Sequence, residues 1–296
     1  MAALATRPNR RVEGLPALDR CAVMGVVNVT PDSFSDGGRY FAPEAAIEHG
    51  RELLAAGVDY LDIGGESTRP GALRVDAEEE ERRILPVIRA LAGEGAVVSV
   101  DTMRAEVAER AVEAGAAIVN DVSGGLADAA MVPFVAAAEV PYILMHWRGH
   151  SVDMNARAVY DDVVADVARE LADRLAHAVE GGIRPERIVL DPGLGFAKTA
   201  AQDWALVSHL DALHTLGRPL LVGPSRKRFL GSLLAGPDGE PRPASDRDVA
   251  TIALAALIAV QGAWAVRVHA AAEAIDAVRV AAAVGDPGYL TREGNR

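Results

Sequence analysis

A rhythm of apolar runs and amphipathic segments constrains this chain more than any single motif. Short apolar runs fall at 22–29, 58–63, 96–100, 116–120, 140–145, 187–190, 219–223 and 263–268. Between and after them lie Ala-rich amphipathic stretches at 43–56, 76–92, 104–114, 128–138, 160–181, 203–215, 246–261 and 271–283. A strand followed by a helix, repeated every thirty or so residues, predicts βαβ units and a parallel sheet. Eight such units in a 296-residue chain predict a closed, single-domain α/β fold, a (β/α)8 TIM barrel. An open doubly wound sheet is the alternative, but no GxGxxG fingerprint follows the first run. Residues 1–20 read as an N-terminal extension, 21–284 as the barrel and 285–296 as a C-terminal tail.

Local signals support that register. Pro43 and Glu44 open one helix, and Glu78 to Glu81 fill the first turns of the next, where negative charge suits the helix dipole. Gly57, Gly115 and Gly182 stand just past periodic segments, as left-handed C-caps do. Two longer loops, 147–159 and 235–245, interrupt the rhythm.

Composition narrows the class of function. A net charge of -12 argues against nucleic acid or an anionic membrane surface as partner. The single Cys21 excludes a disulfide framework and a cysteine metal site. No apolar run nears ~20 residues, and residues 1–20 lack the apolar core of a secretory signal, so a cytoplasmic protein is expected. Of 30 basic residues only Lys198 and Lys227 are lysine, and both sit in Gly-rich polar loops after apolar runs.

The run exits carry the chemistry. The first opens into Asn28 and a long polar loop around Phe34, the second into Asp62 and GGESTRPGA, the third into Asp101. Asn120 and Asp121 follow the fourth, Met145 and His146 the fifth, and Asp191 in DPGLGFAKT the sixth. GPSRKRF follows the seventh, and the eighth carries Arg267 and His269. In a barrel all eight exits share one rim, where catalytic residues gather. Asp101, Asn120 and Asp191, held where water is scarce, need hydrogen-bond donors, and a flat heterocycle rich in N–H groups supplies them. Arg226, Lys227, Arg228, Arg267, His269 and Arg69 form a cationic half suited to an anion. Ser225, expected at the start of a short helix, adds free backbone N–H groups.

Together NVTPDSFSDGG (28–38), DIGGESTRPGA (62–72), SVDT (99–102), ND (120–121), DPGLGF (191–196) and SRKRFLG (225–231) resemble the dihydropteroate synthase family of folate biosynthesis, in order and over about 22–280. The resemblance implies condensation of dihydropterin pyrophosphate with p-aminobenzoate, competition by sulfonamides, and a homodimer. It assigns Asp101, Asn120, Asp191 and Lys227 to the pterin pocket, lined by Met145 and Phe196. It assigns Asn28 to Mg2+ on the pyrophosphate, which Arg267 and His269 also hold. It gives p-aminobenzoate to Thr68, Arg69, Phe34, Pro70 and Ser225, with Asp101, Asp191, Lys227, Arg267 and His269 as the catalytic set. A methyltransferase using a methylated folate shares the Asp/Asn pocket, and a non-catalytic pterin-binding paralogue is the other alternative. Two positions depart from the family: Ala197 where Gly is usual, and Ala270 where Asp follows the R-x-H.

Overall fold

The apolar runs become eight strands in a computed structural model that describes residues 11–30, 43–66, 75–149 and 154–291. They are β1 (Ala22–Asn28), β2 (Tyr60–Gly64), β3 (Val98–Asp101), β4 (Ile118–Asp121), β5 (Tyr142–Met145), β6 (Ile188–Asp191), β7 (Leu221–Val222) and β8 (Ala265–Val268). The helices are α1 (Pro43–Ala56), α2 (Ala77–Gly93), α3 (Ala105–Glu113), α4 (Met131–Ala138), α5 (Val163–Glu180), α6 (Ala200–Ser208), α7 (Leu210–His214), α8 (Arg228–Leu233), α9 (Asp248–Val260) and α10 (Ala271–Gly285). All strand pairs are parallel, in the order β6-β5-β4-β3-β2-β1-β8-β7. The two-residue β7 meets β6 through one bridge, Leu190 to Leu220, so the ring is nearly closed.

The structure corrects three local expectations. The stretch read as one helix over 203–215 starts at Ala200, because Thr199 and Gln202 form a reciprocal capping box, and it breaks at His209 into α6 and α7. The short helix expected after β7 is α8, and it starts at Arg228 rather than at Ser225. Residues 11–20, read as an extension, run beneath the barrel, where Val12 is buried and Leu15 and Leu18 pack. The C-caps stand as expected: Gly57, Gly115 and Gly182 take φ of 94°, 112° and 101°.

Pleating then sorts the side chains. On each strand alternate residues face the helices, as Val23, Leu61, Val100, Val119, Leu144 and Leu190 do in the outer core. Their neighbours face inward: Met24, Tyr60, Ile118, Ile143, Val189, Leu221 and Ala265 fill the lower interior. Further along with the same parity, the inward positions are Asn28, Asp62, Asp101, Asn120, Met145, Asp191 and Arg267. An apolar floor and a polar ceiling are thus written on the same strands.

Candidate active site

The polar ceiling lines a cavity of about 510 Å³ at the C-terminal rim. Ten of the expected residues meet there: Asn28, Asp101, Asn120, Met145, Asp191, Phe196, Ser225, Lys227, Arg267 and His269. Phe34, Thr68, Arg69 and Pro70 lie outside the described residues. Register explains several neighbours, since Asp101 pairs across from Asn120 and Met145 across from Asp191.

Arg267 is the centre of the ceiling. Its Nε donates to Asp62 Oδ2 at 2.5 Å and its Nη2 to Asp101 Oδ2 at 2.8 Å. Asp62 Oδ2 also accepts from Asn120 Nδ2 at 3.0 Å, so one fully buried carboxylate fixes both a cation and an amide of the site. Asp62 is absent from the expected site residues although it opens the second motif. The signal that identifies it is its inward parity with Asp101 and Asn120. Glu66 also lines the cavity without having been anticipated, with its carboxylate 3.0 Å from Arg104 Nη1.

The expected split between an acidic half and a cationic half does not hold. Arg267 sits between two carboxylates, and Arg226 turns to Asp248, with both N–O distances 2.8 Å. Buried charges in a small space interleave because each needs an opposite neighbour. Lys227 does face the cavity, its Nζ 4.4 Å from the centre of the Phe196 ring.

Burial tunes these groups. Burial pushes the Asp101 carboxyl up to about 7, against the pull of Arg267. Asp191 is raised by burial too, although it accepts from Gly193 N at 2.7 Å and faces Lys227. Burial lowers Lys227 to about 8, with Asp191 and Asp203 opposing the shift. Carboxyls and ammonium drawn toward neutrality in one cleft are a frequent mark of a reaction site.

Other motif residues have structural work. Asp121 has outward parity and accepts from Ser123 N, Gly125 N and Tyr142 Oη, which shapes the β4 exit. His146 is buried, 3.0 Å from Glu170 Oε2, and lines no part of the cavity. Asp101 does not cap α3, whose first N–H, at Ala105, donates to Asp128 instead. Ser225 lies before α8 rather than at its cap. Its hydroxyl accepts from His269 N at 3.1 Å and stands 2.9 Å from His269 Nδ1, so it orients the imidazole.

The pterin binding enzyme family description matches residues 24–269. A dihydropteroate synthase of Mycobacterium leprae is 52% identical over 262 residues, 88% of this chain and 92% of that one. The chain belongs to the dihydropteroate synthase family. The solved dihydropteroate synthase of Xanthomonas albilineans with 4-aminobenzoic acid is similar at a TM-score of 0.83 and 45% identity, covering 94% of this chain and 98% of that one. That of Yersinia pestis, in a sulfonamide drug complex, gives 0.85 and 39% over 92% and 98%.

Both departures from the dihydropteroate synthase pattern find a local account. Ala197 has φ of 50°, a left-handed conformation that costs a non-Gly residue about 1–2 kcal/mol, so Gly is the natural occupant. Ala270 is the N-cap of α10 and makes no side-chain cap. An Asp there would cap the helix, whereas His269 already has Ser225 to hold it.

Proposed function

We propose that this chain condenses 6-hydroxymethyl-7,8-dihydropterin pyrophosphate with p-aminobenzoate, giving 7,8-dihydropteroate and pyrophosphate. The observation that carries the reading is the ceiling of Asp101, Asn120, Asp191 and Lys227 around one cavity, in a chain of this family. The ring's N–H and amino groups would satisfy Asp101, Asn120 and Asp191, while Met145 and Phe196 cover its faces. Arg267, pinned by Asp62 and Asp101, and His269, oriented by Ser225, stand toward the diphosphate.

The reaction follows from that placement. The bond from the pterin methylene to the diphosphate oxygen breaks, and its electron pair leaves with the diphosphate. The carboxylates stabilise the cationic pterin that remains. The arylamine lone pair forms the new C–N bond, and its surplus proton passes to the departing diphosphate or to water. An arylamine is neutral at pH 7, so the residues act by position and electrostatics rather than as strong bases.

Mg2+ belongs to this reading as an ion carried with the diphosphate. Asn28 offers one neutral amide oxygen, and among the described residues no group of three His, Cys, Asp or Glu could hold a metal alone. That donor set fits a hard cation which keeps waters and takes phosphate oxygens. When bound, Mg2+ neutralises charge on the leaving group.

The reading gives p-aminobenzoate, and competing sulfonamides, to Ser225 with Phe34, Thr68, Arg69 and Pro70. It also includes a cytoplasmic homodimer. Among the described residues no helix is long and apolar enough to cross a membrane. Val249 and Leu257 of α9 and Val280 and Val284 of α10 give adjacent helices an exposed apolar surface suited to a second copy. Pyrophosphate release measured with and without p-aminobenzoate tests the activity. Release that requires both substrates is expected. No release, with methyl transfer from a methylated folate, would overturn it in favour of the methyltransferase.

A further inference from the structure

Of the two lysines, Lys227 faces the cavity and Lys198 does not. Lys198 is 8% exposed and lies behind the loop that follows β6. Its Nζ is 3.0 Å from each of His146 Nδ1, Gly193 O and Phe196 O. Three acceptors match the three protons of an ammonium, and a neutral amine would leave one acceptor unserved. His146 then accepts at Nδ1 and donates from Nε2 to Glu170, which Arg148 Nε also holds at 3.0 Å.

The same loop is held from behind at further points. Tyr160 Oη donates to Ala197 O at 3.1 Å, and Gly195 N donates to Asp203 Oδ1 at 2.8 Å. The Arg148 guanidinium lies 3.7 Å from the centre of the Tyr160 ring. The front of the loop presents Gly193, Leu194 and Phe196 to the cavity, beside Asp191. Burying an ammonium is costly, and an apolar side chain could fill the space without that cost. The β4 exit loop, at Ser123 and Gly125, is held instead by the Asp121 carboxylate.

We propose that Lys198 is a positioning residue for the ring pocket: its ammonium ties the Gly193–Phe196 loop to the end of β5 and so sets the surface on which the pterin ring rests. This rests on the assignment of that pocket to the pterin. The charged and titratable groups around the ammonium are Asp191 on β6, Asp203 on α6, Glu170 on α5, Lys227 before α8, and His146 and Arg148 after β5. Burial lowers Lys198 to about 7, with Asp203 and Asp191 opposing. Loss of its proton removes one of three ties, so pterin affinity should weaken as pH rises past neutrality.

Steady-state kinetics on the full chain test this. Lys198→Met should raise the KM for dihydropterin pyrophosphate at least about tenfold, as losses of outer groups typically do. The KM for p-aminobenzoate should stay within about twofold, because only the ring-side loop is released. The part of the pH dependence of pterin KM due to Lys198 should vanish in the variant. Tyr160→Phe, which removes the milder tie, should shift the same KM in the same direction. Arg20→Met, breaking the 2.7 Å pair with Asp59 below the barrel, should lower Tm and leave both KM values alone. A folded Lys198→Met with unchanged pterin KM overturns the proposal. If that variant does not fold, unchanged pterin KM in Tyr160→Phe overturns it. Asp191→Asn separates the two layers: if it too leaves pterin KM unchanged, the pocket assignment fails, and if it alone raises pterin KM, only the role of Lys198 fails.

Discussion

The lower and upper interiors of the barrel are built from the same strands and do opposite things. Below, Val12, Met24, Tyr60, Ile118, Ile143, Val189, Leu221 and Trp264 pack into a dry plug, with the Tyr60 and Trp264 rings 5.3 Å apart. Above, further along the same strands, Asp62, Asp101, Asn120 and Arg267 hold one another in place, beside Asp191, which accepts from Gly193 N. The floor gains from removing apolar surface from water. The ceiling keeps polar groups at a cost that ligand contacts would offset. Stability and function are therefore separable along the barrel axis, and substitutions at the two levels should fail differently.

The largest effect is expected in the floor. Trp264→Ala should cost ~3–5 kcal/mol of stability through the cavity it leaves. Denaturant unfolding should show that loss, while the folded fraction keeps both KM values. A change in pterin KM at matched folded fraction would break the separation.

Next comes Asp191→Asn in the ceiling. The amide keeps an acceptor for Gly193 N, so Tm should hold, but the carboxylate's match to ring donors goes. Calorimetry should show pterin affinity weakened by about 1–3 kcal/mol, with p-aminobenzoate affinity little changed. Equal affinity to the parent would remove Asp191 from the pocket.

Acid should strike the rim before the floor, whose cluster contains neither carboxylate nor imidazole. Burial, with Lys198 adding to it, lowers His146 to about 4. Between roughly pH 6.5 and that value the unfolded chain takes up a proton that the folded chain refuses, so stability falls as pH falls. Tm measured from pH 7 to 4 should decline, and His146→Gln should flatten the decline. An unchanged slope in the variant would assign the acid lability elsewhere.

The smallest effect concerns Ala270. Ala270→Asp should stabilise the fold by ~0.5–2 kcal/mol through a cap on α10. It should change turnover less than His269→Ala does, since Ser225 already orients the imidazole. A parent chain that is inactive and is restored by Ala270→Asp would contradict this order.

Much of this was legible before the fold. The thirty-residue rhythm gave the barrel, and each Gly C-cap fell where the periodicity ended. The inward set of Asn28, Asp101, Asn120, Met145, Asp191 and Arg267 was found as run exits, because a strand's last inward residue is by construction at the rim. Two readings failed for a common reason. Neighbours in sequence alone place Ser225 at a helix start and the cations in one half of the rim, whereas Ser225 lies before α8 and Arg267 and Arg226 sit against carboxylates.

What the sequence determined by itself is whatever depends on short range: element order, caps, and the alternation that makes one face of each strand uniform. Only the tertiary structure decided which face became the interior and which charges met. Arg267 finds Asp62 at a separation of 205 residues and Asp101 at 166. Lys198 finds His146 at 52, and His269 finds Ser225 at 44. Such pairs exist only once eight parallel strands take one register and close, because local backbone preference fixes a strand's pleat but carries no information about the strand placed opposite it.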